Sequence, residues 1–300
     1  MSSPIETLRL GFIGAGRLGA ALAWSFARRG CRVTAVASLR HAEAEKLAAP
    51  IRECSIAGVQ ELVDDSDLVF VTTPDDAIAP TVESARWRPG VAAVHCSGAT
   101  ELSSLEKAAR DGASIGGFHP MQTFGDPEAA AQSLPGCTIT IEAEEPLNAT
   151  LVALAERLGC RVNRLPAGAR GRYHAAAGYA SQFVNVLLRE ASEIWQSWGA
   201  SEEDAVRALL PLVRGTLSSI ERAGLAEAMP GPVSRGDVGT VAKHVASLGE
   251  LDDARIVKLY RALCARSVVL AIERGGIDKA AASKILRMLD EPRPARLGRR

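Results

Sequence analysis

The chain has 300 residues, with 35 basic against 35 acidic and a formal net charge of +0, which argues against a nucleic-acid binder held by counterion release. Hydrophobic residues at 47%, charged residues at 23% and a mean hydropathy of +0.05 describe a globular chain able to bury a sizeable core. Its length suggests two domains, and with only 4% aromatics a large aromatic binding face is not expected.

The first half alternates short β-branched runs with amphipathic stretches, the pattern of repeated βα units on a parallel sheet. Residues 8–13 predict the first strand, and 17–29 a helix with Leu18, Leu22 and Phe26 on one face, ended by Gly30 as a left-handed cap. A second strand is expected at 32–37, a charged helix at 41–48 and a short third strand near Ile51. Residues 67–72 are almost uninterruptedly apolar, as in a strand buried on both faces. Strands at 91–95 and 114–118 follow, then strands at 137–141 and 161–163 flanking a helix at 146–158. Beyond Pro166 the texture changes to long alanine- and leucine-rich segments at 170–198, 202–223, 237–248 and 251–274, all expected to be helical. Breaks are expected at Gly199, in the 229–236 loop and at Gly275-Gly276, and the Arg- and Pro-rich tail 292–300 is expected to fray. The expected architecture is a doubly wound, mostly parallel α/β domain over residues 1–166 followed by an all-α domain over 167–300.

Gly14-Ala15-Gly16-Arg17-Leu18-Gly19 stands between a strand and a helix, the setting that a dinucleotide-binding glycine motif requires. Gly14 permits the tight turn, Gly16 lets the backbone approach a pyrophosphate, and Gly19 lets the helix pack on the strand. The helix N-terminus then offers free N–H groups and a positive dipole end to phosphate. The first domain is thus expected to be Rossmann-like. At the end of the second strand an NAD enzyme places an acid for the ribose 2′-hydroxyl, but here the sequence is Ala37-Ser38-Leu39-Arg40 and no acid comes before Glu43. Ser38 and Arg40 suit a 2′-phosphate, with Arg17 adding charge, so NADP(H) is expected over NAD. Thr72, Thr73 and Pro74 close the fourth strand, where they would border the cofactor's ribose or nicotinamide.

Reduction of a carbonyl also needs a proton donor. His95-Cys96-Ser97-Gly98 and Gly117-Phe118-His119-Pro120-Met121-Gln122 follow successive strands and are expected to open on one crevice, with Gln122 beside the substrate. Ser97 and His119 are the candidate hydroxyl–imidazole pair, although a histidine so placed serves equally well as a satisfied structural residue. In the helical half, His174 and Ser181 are seven residues apart, hence on one face of a single long helix; with Gln182 they suggest a pocket wall, while Tyr173 reads as packing. Arg235 is a candidate carboxylate or phosphate anchor beside Asp237, the alternative being a salt bridge between the two that only shapes the loop.

The longest uncharged stretch, 173–188, is too short and too polar to cross a bilayer, so no membrane contact is expected. The N-terminus carries Glu6 and lacks the order of a signal peptide, which points to the cytoplasm. Cys31, Cys54, Cys96, Cys137, Cys160 and Cys264 are scattered without metal-ligand spacing and read as reduced, mostly buried thiols.

The segments GFIGAGRLG, HCSGA, GFHPMQTF, YHAAAGYAS and GPVSRGD, in this order, resemble the bacterial family that joins a Rossmann-like domain to a helical domain of unknown function 2520. Gln182 departs from the pattern, which tends to have Asn beside the serine. The family is similar to the group of 6-phosphogluconate, ketopantoate and pyrroline-5-carboxylate oxidoreductases. That resemblance implies an NADP-binding domain and a helical domain that lines the active site and commonly forms a homodimer. Ser97 and His119-Pro120-Met121 are also similar to motifs of prephenate dehydrogenases, whereas the lysines that ketopantoate reductases and 6-phosphogluconate dehydrogenases use have no counterpart between Arg170 and Trp198. The expected function is NADPH-dependent reduction of a small anionic carbonyl compound, most specifically a branched 2-oxo acid such as ketopantoate. An imine reductase, a prephenate-type dehydrogenase, or an NADP-binding sensor or scaffold without turnover are the alternatives.

Overall fold

Residues 5–290 are described by the computed structural model. The chain divides into two compact units, Met1–Ser181 and Gln182–Arg300.

The first unit is built on an eight-stranded sheet in the order β3-β2-β1-β4-β5-β6-β7-β8. Its strands are β1 (Arg9–Ile13), β2 (Arg32–Ala37), β3 (Ser55–Ile56), β4 (Leu68–Val71), β5 (Ala92–His95), β6 (Ser114–Pro120), β7 (Thr138–Ala143) and β8 (Arg161–Arg164). All neighbours are parallel except β6 and β7. The helices between them are α1 (Arg17–Arg28), α2 (His41–Ala48), α3 (Val59–Asp65), α4 (Asp75–Glu83), α5 (Glu106–Arg110), α6 (Pro127–Ser133) and α7 (Leu147–Arg157), and α8 (Arg170–Ala180) completes the unit. Strand β4 shows why the sheet is buried on both sides. Leu68 and Phe70 enter one apolar layer with Phe12, Phe26 and Phe118, while Val69 and Val71 enter the other with Ile78, Ala93 and Leu105. Phe70 lies 5.1 Å from Phe12 and 5.4 Å from both Phe26 and Phe118, ring centre to ring centre, so aromatic packing ties α1 to three central strands. The chain order reverses between β1 and β4, and in open α/β sheets ligands bind outside the carboxyl ends of the strands at such a point.

Several elements differ from the sequence expectation. The third strand is Ser55–Ile56 rather than the neighbourhood of Ile51, which is buried in the core below a turn at Glu53 (φ 65°). Helix α3 was not expected: it is short and carries three acids, yet it anchors Leu62 and Val63. Strand β6 runs on to Pro120, so His119 stands within a strand rather than after one. The single helix expected over 170–198 is interrupted at Ser181, whose backbone (φ −127°, ψ −84°) leaves the helical region. The division of the chain into compact units falls after Ser181, beyond the 166/167 boundary read from composition.

The second unit contains α9 (Gln182–Gln196), α10 (Glu202–Glu227), α11 (Val238–Leu248), α12 (Ala254–Glu273) and α13 (Lys279–Asp290), with a 3-10 turn at Val233–Arg235. Its core gathers Val241, Cys264, Val268, Ala271, Ile285 and Leu289. Ser201, Asp237 and Asp253 cap α10, α11 and α12 by accepting from backbone N–H groups. Helix α10 runs past the expected end at 223 and is kinked at Gly224 (φ 79°). Helix α13 was missed in a segment rich in alanine and charge, and the tail expected at 292–300 lies outside the described residues. Among the described residues no helix is long and apolar enough to cross a membrane.

Candidate active site

The glycine motif forms the turn from β1 into α1, and each glycine meets a different constraint. Gly14 has φ +111°, and a Cβ there would lie 2.8 Å from the Thr72 carbonyl group. A Cβ on Gly19 would lie 2.3 Å from Gly14 O and 2.7 Å from Thr72 Oγ1, so only glycine lets α1 sit this close to the strand ends. Gly16 has nothing within 4 Å of its Cβ position and caps α1 without a side-chain hydrogen bond. Open space over uncapped N–H groups, with no acid in the first turn, fits a pyrophosphate. Ala15 is buried beneath the turn, Leu18 is half-buried beside it, and exposed Arg17 reaches toward Gly125 O at 3.4 Å. Thr72 is already committed: its hydroxyl donates to Gly14 O at 2.6 Å, clamping β4 to the turn. Next to it, Thr73 Oγ1 is buried with no hydrogen-bond partner among the described residues, and Pro74 is the N-cap of α4.

At the end of β2, Ser38 Oγ accepts the Arg40 N–H at 3.3 Å, which shapes the corner and leaves the Arg40 guanidinium exposed. The nearest acid, Glu43, is held by Lys46 at 3.3 Å on α2. This corner offers a hydroxyl and a cation, the donor set for a phosphate ester rather than for a ribose diol.

The histidine cluster lies at the carboxyl ends of β5 and β6, on the same sheet edge. His119 Nδ1 is 2.6 Å from the Tyr173 hydroxyl, with the two rings edge to face at 5.4 Å. His174, one residue on, sets its ring 5.9 Å from that of His119. Both imidazoles converge on Gly98, where a Cβ would lie 2.4 Å from His174 Nδ1 and 2.8 Å from His119 Nε2. Burial, then the neighbouring His174 and Arg170, depress His119 to about 4 against a smaller opposing effect of Asp75, so its imidazole is neutral near pH 7. His95, wholly buried on β5 with neither ring nitrogen hydrogen-bonded among the described residues, is depressed to about 3 by burial first, then by Arg170 and His119. Burial raises the Tyr173 phenol, while a hydrogen bond from Thr140 and the charge of Arg170 oppose that rise.

Arg170 lies beneath this cluster with its side chain wholly buried. Its Nε donates to Glu142 Oε2 at 2.6 Å and its Nη1 to Ser97 O at 2.9 Å, while Nη2 packs against Gly117, where a Cβ would be only 2.0 Å away. The guanidinium thus ties the loop after β5 to β7. Arg170, Glu142, Thr140 and Asn163 were not among the sequence candidates. Arg170, Tyr173 and His174 stand three and four residues apart on one helix, a spacing that placed them on a common face.

The pair expected between Ser97 and His119 is not formed. Ser97 Oγ accepts the Ala99 and Thr100 N–H groups at 3.1 and 2.9 Å and donates to Thr100 Oγ1 at 2.9 Å, because a serine at the start of a tight loop satisfies the local backbone first. The partner of His119 is Tyr173, read from sequence as mere packing. The seven-residue spacing of His174 and Ser181 no longer measures a helix face, since the helix ends at Ala180 and Ser181 Oγ bonds back to Ala177 O at 2.8 Å. The buried residue of α8 is Arg170. Gln122 braces its own loop, donating to Ser133 O and accepting the Thr123 N–H. In the second unit Gln182 is exposed at the start of α9. Asp237 is occupied as the α11 cap, bonded to Thr240 N at 2.9 Å and Thr240 Oγ1 at 2.6 Å. Arg235 is exposed, and among the described residues no ion pair joins it to Asp237.

Sheet order, reversal point and glycine turn define a Rossmann-like unit. Residues 2–120 match the model of the Rossmann-like domain, and residues 137–267 that of a domain of unknown function, DUF2520. The chain therefore joins a Rossmann-like domain to a DUF2520 domain. Among solved structures, a candidate NADP oxidoreductase from Bacteroides fragilis is similar at 26% identity and a TM-score of 0.69, over 89% of this chain and 100% of that one. A Thermotoga maritima protein is similar at 21% identity and a TM-score of 0.73, over 89% of this chain and 99% of that one. A reductive aminase from Aspergillus terreus, solved with NADPH and ethyl levulinate, shares the fold at 19% identity and a TM-score of 0.64, over 93% of this chain and 98% of that one. No curated protein matches the chain.

Proposed function

We propose that this chain is an NADP(H)-dependent oxidoreductase that reduces a small carboxylated carbonyl compound, a branched 2-oxo acid of the ketopantoate kind being the most specific candidate. The observation that carries this reading is the neutral His119, held by Tyr173 above the Gly98 turn on the same sheet edge as the glycine cradle. Bound NADPH supplies a hydride. The turn Gly14-Ala15-Gly16-Arg17-Leu18-Gly19 holds the pyrophosphate, Ser38 and Arg40 take the 2′-phosphate, and Thr73 and Pro74 border the nicotinamide ribose while Thr72 keeps the turn closed. His119 delivers the proton to the substrate oxygen. Ser97 serves the reaction by shaping the loop that carries Gly98. His174, Gln122, Ser181 and Gln182 are proposed to face the substrate, and the exposed Arg235 guanidinium to anchor its carboxylate. A cyclic imine is the second substrate reading, favoured by the fold shared with the reductive aminase.

The helical unit is proposed to form the homodimer. Its helices leave Phe183, Val186 and Leu187 of α9 and Leu212, Leu217 and Leu225 of α10 exposed, apolar side chains that a second copy would cover. Six free cysteines agree with a reducing, cytoplasmic setting. The deciding experiment is an NADPH-oxidation screen over 2-oxo acids and cyclic imines, repeated with His119→Ala and Arg235→Ala. Turnover lost in the first and a raised KM in the second are expected. Full activity in both variants overturns the assignment, and tight NADPH binding without any turnover favours a sensor instead.

A further inference from the structure

A neutral imidazole is a poor acid unless its other nitrogen takes up a proton as the first is given away. His119 has a partner placed for this. Behind it runs a chain of side chains with one consistent direction. At its far end Asn163 Nδ2 donates to Thr140 Oγ1 at 3.1 Å. Thr140 is wholly buried on β7, and its hydroxyl opposes the rise that burial gives the Tyr173 phenol, which places it beside the phenol oxygen. Were Tyr173 to donate to Thr140, the threonine proton would be buried without an acceptor, at a cost of about 1–3 kcal/mol. The favoured order therefore runs from Asn163 to Thr140, from Thr140 to Tyr173, and from the Tyr173 O–H to His119 Nδ1 at 2.6 Å. It leaves the ring proton on Nε2, the nitrogen that faces Gly98.

We propose that His119 acts as a two-ended proton relay and that Tyr173 is the proton source behind it. As the Nε2–H bond breaks and an O–H bond forms on the substrate, the Tyr173 O–H bond breaks and an Nδ1–H bond forms. The ring stays neutral and changes tautomer, and the negative charge ends on the phenol oxygen. There it is met by the Thr140 hydroxyl and by the nearby Arg170 guanidinium, until the half-buried Tyr173 recovers a proton from solvent. The titratable and charged groups facing the imidazole are His174 and Arg170 from α8, Asp75 from α4 and His95 from β5, while Cys137 lies near the phenol. Tyr173 reaches the substrate only through His119 and is in that sense a positioning residue.

The inference rests on the reading of His119 as proton donor, and the test separates the two. Long-range 15N–1H spectra of the full-length protein, without substrate, report which nitrogen of His119 bears the proton. Nε2–H in the wild type, giving way to a tautomer mixture in Tyr173→Phe, is expected; Nδ1–H in the wild type overturns the relay. With the 2-oxo acid or cyclic imine turned over fastest, the rate in mixed H2O and D2O should curve as for two protons in flight and become linear in Tyr173→Phe, whose kcat falls about 100-fold or more with little change in KM. A linear wild-type profile together with full activity in Tyr173→Phe overturns the relay while His119→Ala still abolishes turnover. Full activity in His119→Ala overturns both.

Discussion

Arg170 and Glu142 form an ion pair in which the arginine side chain is 0% and the glutamate 14% exposed, with Nε and Oε2 2.6 Å apart. The same guanidinium holds the Ser97 carbonyl, so one buried cation joins α8, β7 and the loop after β5. Removing one partner of such a pair leaves the other charge buried and unpaired, a loss of about 3–5 kcal/mol. Glu142→Gln is accordingly expected to lower stability by about 3 kcal/mol in urea unfolding, and Arg170→Met by at least as much. Unchanged midpoints in both variants would show that the pair is not needed to hold the loop.

Acid should destabilise the first unit through its histidines. His119 and His95 are depressed to about 4 and about 3, chiefly by burial, against 6.5 for the unperturbed group. Between those values the unfolded chain binds more protons than the folded one, so stability rises with pH. The stabilisation is complete above about pH 6.5 and is lost as pH falls towards 4 and then 3. A histidine titration by NMR should show no charge change at His119 between pH 5 and 8. A midpoint near 6.5 there would contradict the buried, neutral ring.

The three motif glycines should part company when replaced by alanine. Gly16→Ala meets open space with a β-region backbone and should fold normally while weakening NADPH binding about tenfold or more, because the new methyl stands where phosphate approaches. Gly19→Ala must push against the Gly14 carbonyl and Gly14→Ala carries a positive φ, so both should lower the thermal midpoint as well. Equal losses of midpoint in all three variants would mean that the turn is only structural.

Cofactor preference should depend on the corner after β2. Arg40→Ala is expected to weaken NADPH binding by about 1.5–3 kcal/mol, the range for a hydrogen bond to a charged group, and to leave NADH binding unchanged. Fluorescence titration measures both. Equal affinity of the wild type for the two cofactors would remove Ser38 and Arg40 from the site.

Ser97→Ala distinguishes a loop former from a catalytic hydroxyl. Loss of the two backbone hydrogen bonds to its Oγ should cost about 1 kcal/mol of stability and only a few-fold in turnover, far less than His119→Ala. Loss of activity comparable to that of His119→Ala would restore Ser97 to the proton relay.

Much of the first unit is written in local pattern. The apolar runs of β1, β4 and β5, the Gly14-Gly16-Gly19 spacing and the acid-free end of β2 act over a few residues, through pleat, turn and helix start, and were legible without a structure. The Ser181 break was not, because neither Ser181 nor Gln182 is a helix breaker by type. The burial of Arg170 on α8 was not legible either, because no hydropathy pattern reports an arginine neutralised by a glutamate 28 positions away.

The partners of the site residues belong to the same second kind. Residue type alone offered Ser97 to His119, since a hydroxyl beside an imidazole is chemically apt. Tyr173, 54 positions from His119, takes that place only because α8 packs across the ends of β6 and β7. The glycine cradle follows from spacing, because backbone sterics act between neighbours in sequence. The tautomer, charge and partner of His119 come from burial and from hydrogen bonds between distant strands and a helix, and those exist only once the chain has folded.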